Sequence, residues 1–398
     1  MLEALQRKNK PIIYLRLSKI NFLMNKIYLF TAAFAVMASL SGCSDTELAS
    51  IDTAQEKTPI GFHTVGSQMG SRAEIINSGD ITKTDFNVYA FDGDGKAFMG
   101  KNDTELGWDG INISYTNDKW DYTTSSDQRY WPGTVKPLDF YAVNPATFND
   151  NMKYYYGWQI NNDKQEIQYT CTDEYGQHNG YSNIDVMYAT AKNQTKDNNA
   201  GKVDLVFKHI LSQIAFKAKT QNENTKVEIE SIVIHNVTSG GTFVMPTEGS
   251  TGTGWTPKDN LKQNFTIGMK STTVTTVDNT GTDVFTKPIL FVPQLLKKWA
   301  TTASIPKTIA EADAAKQCYL VISCKISIDG TYPHGSPTEF EKLYVPFEAD
   351  WQPGMRYVYT LIFGGGYTVK GNPVLTPISF EPSVEEWKNE NKDINIQQ

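Results

Sequence analysis

Cysteine is sparse in this chain, with four residues in 398, and no two of them form a C-x-x-C pair. No zinc site is therefore implied. The five histidines are scattered, no H-E-x-x-H occurs, and His209 and His235 lie on strand-like segments without metal-ligand spacing. There is no G-x-S-x-G elbow and no glycine-rich phosphate loop. Glu385 and Glu386 are adjacent. On a strand they face opposite ways, the wrong geometry for a catalytic carboxylate pair. Asp92-Gly93-Asp94-Gly95 begins as a calcium loop begins, but Lys96 takes a ligand position and Ala97 replaces the required glycine. A hairpin turn is the better reading. Together these absences leave no enzyme machinery and no cofactor. Net charge is −7 and no basic stripe appears, so a nucleic-acid partner is excluded as well.

Long apolar runs are also scarce. Ile27 to Leu40 (IYLFTAAFAVMASL) is uncharged but falls short of the about 20 residues a membrane helix needs. It suits the core of a signal peptide, with Lys26 as its basic flank and Met24 as a natural start. Leu40-Ser41-Gly42-Cys43 closes it in the pattern of a bacterial lipoprotein signal. The expectation is a signal peptide over 1–42, lipid on Cys43 and a polar tether over 43–58. Several acyl chains on one residue hold a protein firmly on a membrane. The rival reading is an uncleaved N-terminal anchor helix.

What the chain does have is β-forming sequence. Tyr, Phe, Trp, Thr and Gly abound, and helix formers concentrate only over Ile309–Lys316. Phe86–Phe91 is apolar on both faces and predicts a buried strand. Leu138–Val143, Val227–Val237, Tyr319–Ile328 and Tyr357–Phe363 predict further strands, with Val203, Leu205 and Phe207 alternating between them. Ser271–Thr286 predicts a strand edge or a long hairpin. Strand and turn spacing favours β-sandwiches, with domains over 59–202 and 203–398. Cys318 and Cys324 lie roughly 20 Å apart on one extended strand, too far for a mutual disulfide. Buried free thiols are the leading reading, and a bridge from Cys171 stays open.

Several segments, read in order, resemble the fimbrillins of Bacteroidales. They are Ser71-Arg72-Ala73, Phe86–Phe91 (FNVYAF), Tyr130-Trp131-Pro132, Leu138–Ala142, Asp185–Ala189 (DVMYA) and Val203–Lys219 (VDLVFKHILSQIAFKAK). Phe291-Val292-Pro293-Gln294, Trp351-Gln352-Pro353-Gly354 and Tyr357–Leu361 follow. The resemblance implies two tandem transthyretin-like β-sandwich domains, an all-β fold. It also implies an outer-membrane lipoprotein precursor that becomes a subunit of a cell-surface fimbria supporting adhesion. An arginine-specific protease would cut near the N-terminus and free the first strand, and a strand from a neighbouring subunit would fill the groove.

On these residues, the resemblance puts cleavage between Arg72 and Ala73; the rival is a solvated loop arginine that is never cut, with the strand kept in place. The displaced strand lies in Pro59–Val65, with Ile60 and Phe62 as groove-fillers. The donor lies near the C-terminus, where Val374, Ile378 and Phe380 share a phase. The interrupting prolines mark that segment as an edge strand, and an edge strand folded onto its own domain is the rival. A second function remains open: a monomeric surface lipoprotein that binds glycan or a host ligand through Trp108, Trp120, Trp131, Trp158 and Tyr154-Tyr155-Tyr156, with the packing of these rings into sandwich cores and turns as the rival. Mass analysis of the N-terminus on intact cells separates precursor from matured subunit. Lipidated Cys43 is expected for the first and Ala73 for the second.

Overall fold

A computed structural model describes residues 57–386, apart from 65–77, 102–108, 134–135, 147–155, 172–183, 221–222, 247–252, 268–271, 275–280, 285–287, 301–307 and 364–378. Cys43, Arg72, Ala73, Trp108, Val374 and Ile378 lie outside these residues. The fold is all-β. Among the described residues, one short α-helix (Ile309–Ala314) accompanies the strands, and no helix is long and apolar enough to cross a membrane.

The N-terminal half is built on a seven-stranded sheet. Its order is Lys208–His209, Met187–Gln194, Leu138–Asn144, Phe86–Asp92, Ile111–Thr116, Lys119–Tyr122, with Ala97–Met99 also paired to Phe86–Asp92. Two faces of this sheet are buried, which is why its central strands read as unbroken apolar runs. Phe86, Val88, Ala90, Phe140, Ala142, Met187 and Ala189 enter one core. Tyr89, Phe91, Tyr141, Val143 and Tyr188 enter another. The Asp92–Gly95 segment turns the chain back: Gly95 N–H donates to Asp92 O at 2.8 Å, and Asp92 Oδ1 accepts from Asp94 N and Lys96 N.

The second core is shared by both halves. A four-stranded sheet runs Trp255–Pro257, Gly240–Val244, Gln165–Thr170, Tyr156–Ile160. Two of its strands precede residue 203 and two follow it, so main-chain hydrogen bonds cross the expected boundary at 202/203. Gly241 permits the tight pairing: a Cβ there would lie 2.7 Å from Thr256 O. The segment that joins the halves is gripped along its length. Ile210 N donates to Val186 O (3.0 Å), the Trp255 indole to Ile210 O (2.5 Å), and Gly354 N to Leu211 O (2.8 Å). Beside it, His209 Nδ1 and Asp185 Oδ2 stand 2.7 Å apart and buried.

In the C-terminal half two sheets face each other. The five-stranded sheet runs Thr282–Asp283, Ser212–Thr220, Met355–Phe363, Ser379–Glu386, with Ile289–Phe291 also on Ser212–Thr220. The six-stranded sheet is centred on Thr225–Thr238 and Tyr319–Ile328. Thr225–Thr238 carries a bulge between Ile229 and Ser231. One extra residue reverses the alternation, so Val227 and Ile229 on one side of it and Ile232 and Ile234 on the other all reach the same core. Ser271–Thr286 is no hairpin: Thr272–Val274 pairs with Thr225–Thr238 while Thr282–Asp283 pairs with Ser212–Thr220, in the opposite sheet. A threonine-rich edge can serve either sheet, so its local pattern does not specify the partner.

The helix packs Ile309 and Ala312 against Trp299, Tyr319 and Val321 on the outer face of the six-stranded sheet. Its start is a capping box. Glu311 N donates to Thr308 Oγ1 and Thr308 N donates to Glu311 Oε2.

Cys171, Cys318 and Cys324 are free and buried. Burial pushes the Cys171 thiol up to about 12 and raises the other two further. The thiolate is the reactive form. Alkylation of the folded protein at pH 8 is therefore expected to modify none of the three, and all three in denaturant. Peptide mapping before and after unfolding checks this.

Candidate functional site: the cradle of the N-terminal strand

The strand Gly61–Thr64 begins the described fold, and it is short. It pairs in parallel with Lys202–Leu205, in register from Gly61↔Lys202 to Thr64↔Leu205. On its other side the chain just ahead of it meets residues 129–131. Ile60 N donates to Arg129 O and Trp131 N donates to Thr58 O, both at 2.9 Å, with Pro59 bridged antiparallel to Tyr130. The strand thus lies between two walls, both formed by later parts of the chain.

Alternation decides what the strand contributes. Ile60 and Phe62 point inward, 1% and 5% exposed, while His63 faces out. Phe62 meets Phe86, Phe140 and Tyr122 edge-on, with ring centroids 6.0, 6.3 and 5.9 Å away. Polar groups close the ends. The Trp120 indole donates to Thr64 Oγ1 at 2.9 Å, and Tyr122 Oη–H donates to Ile60 O at 3.1 Å. Burial raises the Tyr122 phenol to about 12, so it stays a donor across the ordinary pH range. Outside, His63 Nδ1 lies 2.9 Å from Asp204 Oδ1, which also accepts from Asn199 Nδ2 at 2.7 Å. This pair is exposed, and such pairs contribute little.

The far wall is shaped by a left-handed turn at Asn199, Ala200 and Gly201. Gly201 has φ +82°, and a Cβ on it would press on Thr58 Cγ2 at 3.0 Å. Its carbonyl accepts the Trp131 indole N–H at 2.8 Å, in the interior. The strand, the turn and Trp131 therefore fit as one unit.

Three of the four tryptophans proposed as sugar platforms are otherwise employed. Trp120, Trp131 and Trp158 are all buried. Their indole N–H groups go to Thr64, Gly201 O and Tyr89 Oη respectively. Tyr156 is buried against Trp158 and Tyr169. For these residues the glycan-platform expectation is corrected: aromatic rings on double-faced strands fill cores first. Sequence reasoning missed Arg129, Trp131 and Gly201 as walls of the cradle. Their pairing with residues 58–60 is long-range and leaves no local signal.

At the other end, Ser379–Glu386 pairs antiparallel with Met355–Phe363, Phe380 opposite Leu361 and Val384 opposite Tyr357. Among the described residues it is the outermost strand of its sheet, the position that tolerates Pro382. The strand carrying Phe380 thus lies on the edge of its own half.

A family model described as fimbrillin-like matches residues 71–387. The chain belongs to the fimbrillin-like family. It is 24% identical over 188 residues to the fimbrium subunit Fim1C of Phocaeicola vulgatus, covering 45% of this chain and 48% of that protein. The matched part thus spans about half the length of that curated relative. A crystal structure of a fimbrial protein from Bacteroides vulgatus superposes with a TM-score of 0.54 at 17% identity, over 83% of this chain and 99% of that one. At that identity the likeness is one of fold. The fimbrillin-like match begins beyond Gly61–Thr64, so the strand in the cradle lies ahead of it.

Replacing Phe62 by Ala removes a ring from this core and is expected to cost about 3–5 kcal/mol. Replacing His63 by Ala removes only an exposed pair and is expected to cost less than about 1 kcal/mol. Denaturant unfolding of the two variants checks the contrast.

Proposed function

We propose that this fimbrillin-like protein is a structural subunit of a cell-surface fimbria and polymerises by donor-strand exchange. One observation carries the reading. A strand of only four residues, with the residue before it, supplies two core side chains to a groove whose walls come from residues 129–131 and 202–205. Taking that strand away opens the groove and leaves Lys202–Leu205, which pairs with no other described strand, without its ladder partner. The opened groove exposes apolar surface and unpaired main-chain groups, a template for another strand. Strand addition fills both needs together, with ladder hydrogen bonds for the backbone and pockets for alternate side chains.

In this scheme the chain is exported as a lipoprotein held on the outer membrane through Cys43. An arginine-specific protease cuts between Arg72 and Ala73, which frees the segment carrying Ile60 and Phe62 and detaches the lipid with it. The donor is the C-terminal segment with Val374, Ile378 and Phe380. Val374 and Ile378 precede the edge strand Ser379–Glu386, which among the described residues is bonded on one side only and so can leave its sheet without breaking a central ladder. The partners are other fimbrial subunits, and the role is adhesion at the cell surface.

Incubation of the purified chain with an arginine-specific protease should produce a cut after Arg72 and then ladders on native gels. Arg72→Ala should stay monomeric. A chain that is cut at Arg72 yet never oligomerises would end the pilin reading for this subunit.

A further inference from the structure

Arginine is used sparingly here. After Met24 only Arg72, Arg129 and Arg356 occur, although the whole chain has 37 lysines and arginines together. An arginine-specific protease therefore meets three sites, and the fold treats the two described ones differently. Arg356 lies in a strand paired on both edges, opposite Gln213 on one side and Glu385 on the other. Arg129 stands on the wall of the cradle. The peptide bond between Arg129 and Tyr130 is flanked by the two hydrogen bonds to the N-terminal strand segment, Ile60 N to Arg129 O and Trp131 N to Thr58 O. The guanidinium is held by its own loop, with Nη1 donating to the carbonyls of Ser126 (3.3 Å), Asp127 (2.8 Å) and Gln128 (3.2 Å). Tyr130 is 41% exposed.

Extended peptides are recognised by pairing along an open strand edge. In the intact protein that edge of residues 129–131 is occupied by residues 58–60. Once the N-terminal strand leaves, the same edge is free, extended and carries an arginine.

We propose that Arg129–Tyr130 is a second cleavage site, conditional on an empty cradle. The inference rests on the strand-displacement reading above. Water adds across the peptide bond, leaving a carboxylate on Arg129 and an amine on Tyr130. The cut separates the Ser125–Asp127 turn from Trp131, whose indole anchors Gly201 and whose ring packs on Phe140. A subunit that loses its first strand and gains no donor is thereby destroyed, while a filled subunit is protected. One protease then both activates subunits and removes those that fail to assemble.

The test follows fragment masses over time when the purified chain meets an arginine-specific protease. The cut after Arg72 should come first, the cut after Arg129 second, and Arg356 should remain intact as a reporter of global unfolding. In Arg72→Ala the Arg129 cut should be about tenfold slower or more, because the strand stays tethered in its cradle. Saturating synthetic peptide of residues 57–72 should slow the Arg129 cut in the processed chain by about the same factor, since a ligand for the closed form depletes the open one. Arg129→Lys should be cut at Arg72 at the normal rate and its product should persist. Equal Arg129 rates in Arg72→Ala and the natural chain would overturn the inference, as would Arg129 and Arg356 cuts that keep pace. Cutting at Arg72 with none at Arg129 sinks this inference alone. No cutting at Arg72 sinks the displacement reading and the inference together.

Discussion

Each half of this protein is closed by a parallel pair of strands that meet from far apart in sequence. His63 and Asp204, in neighbouring positions of the first pair, are 141 residues apart along the chain. In the second pair Ser212–Thr220 runs beside Met355–Phe363, over a similar separation. A parallel pair cannot be joined by a hairpin, so everything between its strands must leave and return. The intervening strands fold as sheets that cover the closure. Such long-range pairings carry a large loop-closure cost, offset here by burial of Ile60 and Phe62 in one half and Ile214 and Phe216 in the other.

The two closures are not equal. Ser212–Thr220 is buried almost throughout, bonded on both sides and nine residues long. Gly61–Thr64 has four residues, and its outer flank is bonded through only the residues just ahead of it. The same topology thus yields one long closure and one short one. The shared four-stranded sheet and the gripped segment around Ile210 tie the halves together without using Gly61–Thr64. Opening the cradle therefore leaves the seam and the C-terminal core in place. This is the arrangement that a subunit needs if it is to trade one strand for another and remain folded.

Much of this was legible in the residues. Phe86–Phe91, apolar on both faces, is indeed buried on both, and Tyr319–Ile328 forms the strand its pattern predicts. The helix-forming stretch Ile309–Lys316 holds the one α-helix among the described residues, Ile309–Ala314. Inward alternation of Ile60 and Phe62 was also readable. Trp120, Trp131 and Trp158 pack cores rather than serve as platforms, a choice open in the sequence because a side chain's type says that it wants an apolar neighbour or an aromatic partner but not whether that neighbour is inside. Of the two readings of Ser271–Thr286, the strand edge holds and the long hairpin does not, since a polar edge strand has no face that a core demands.

The sequence by itself determined the class of structure and the phase of each strand. Alternation and turn residues act over a few positions, and their physics is complete within the segment. Only the tertiary structure decided which strands are neighbours. It set residues 129–131 beside residues 58–60, paired strands from before and after residue 203, and placed Ser379–Glu386 on the rim of its own half. Those choices come from matching buried surfaces and main-chain groups across more than a hundred residues, where no local pattern can name the partner.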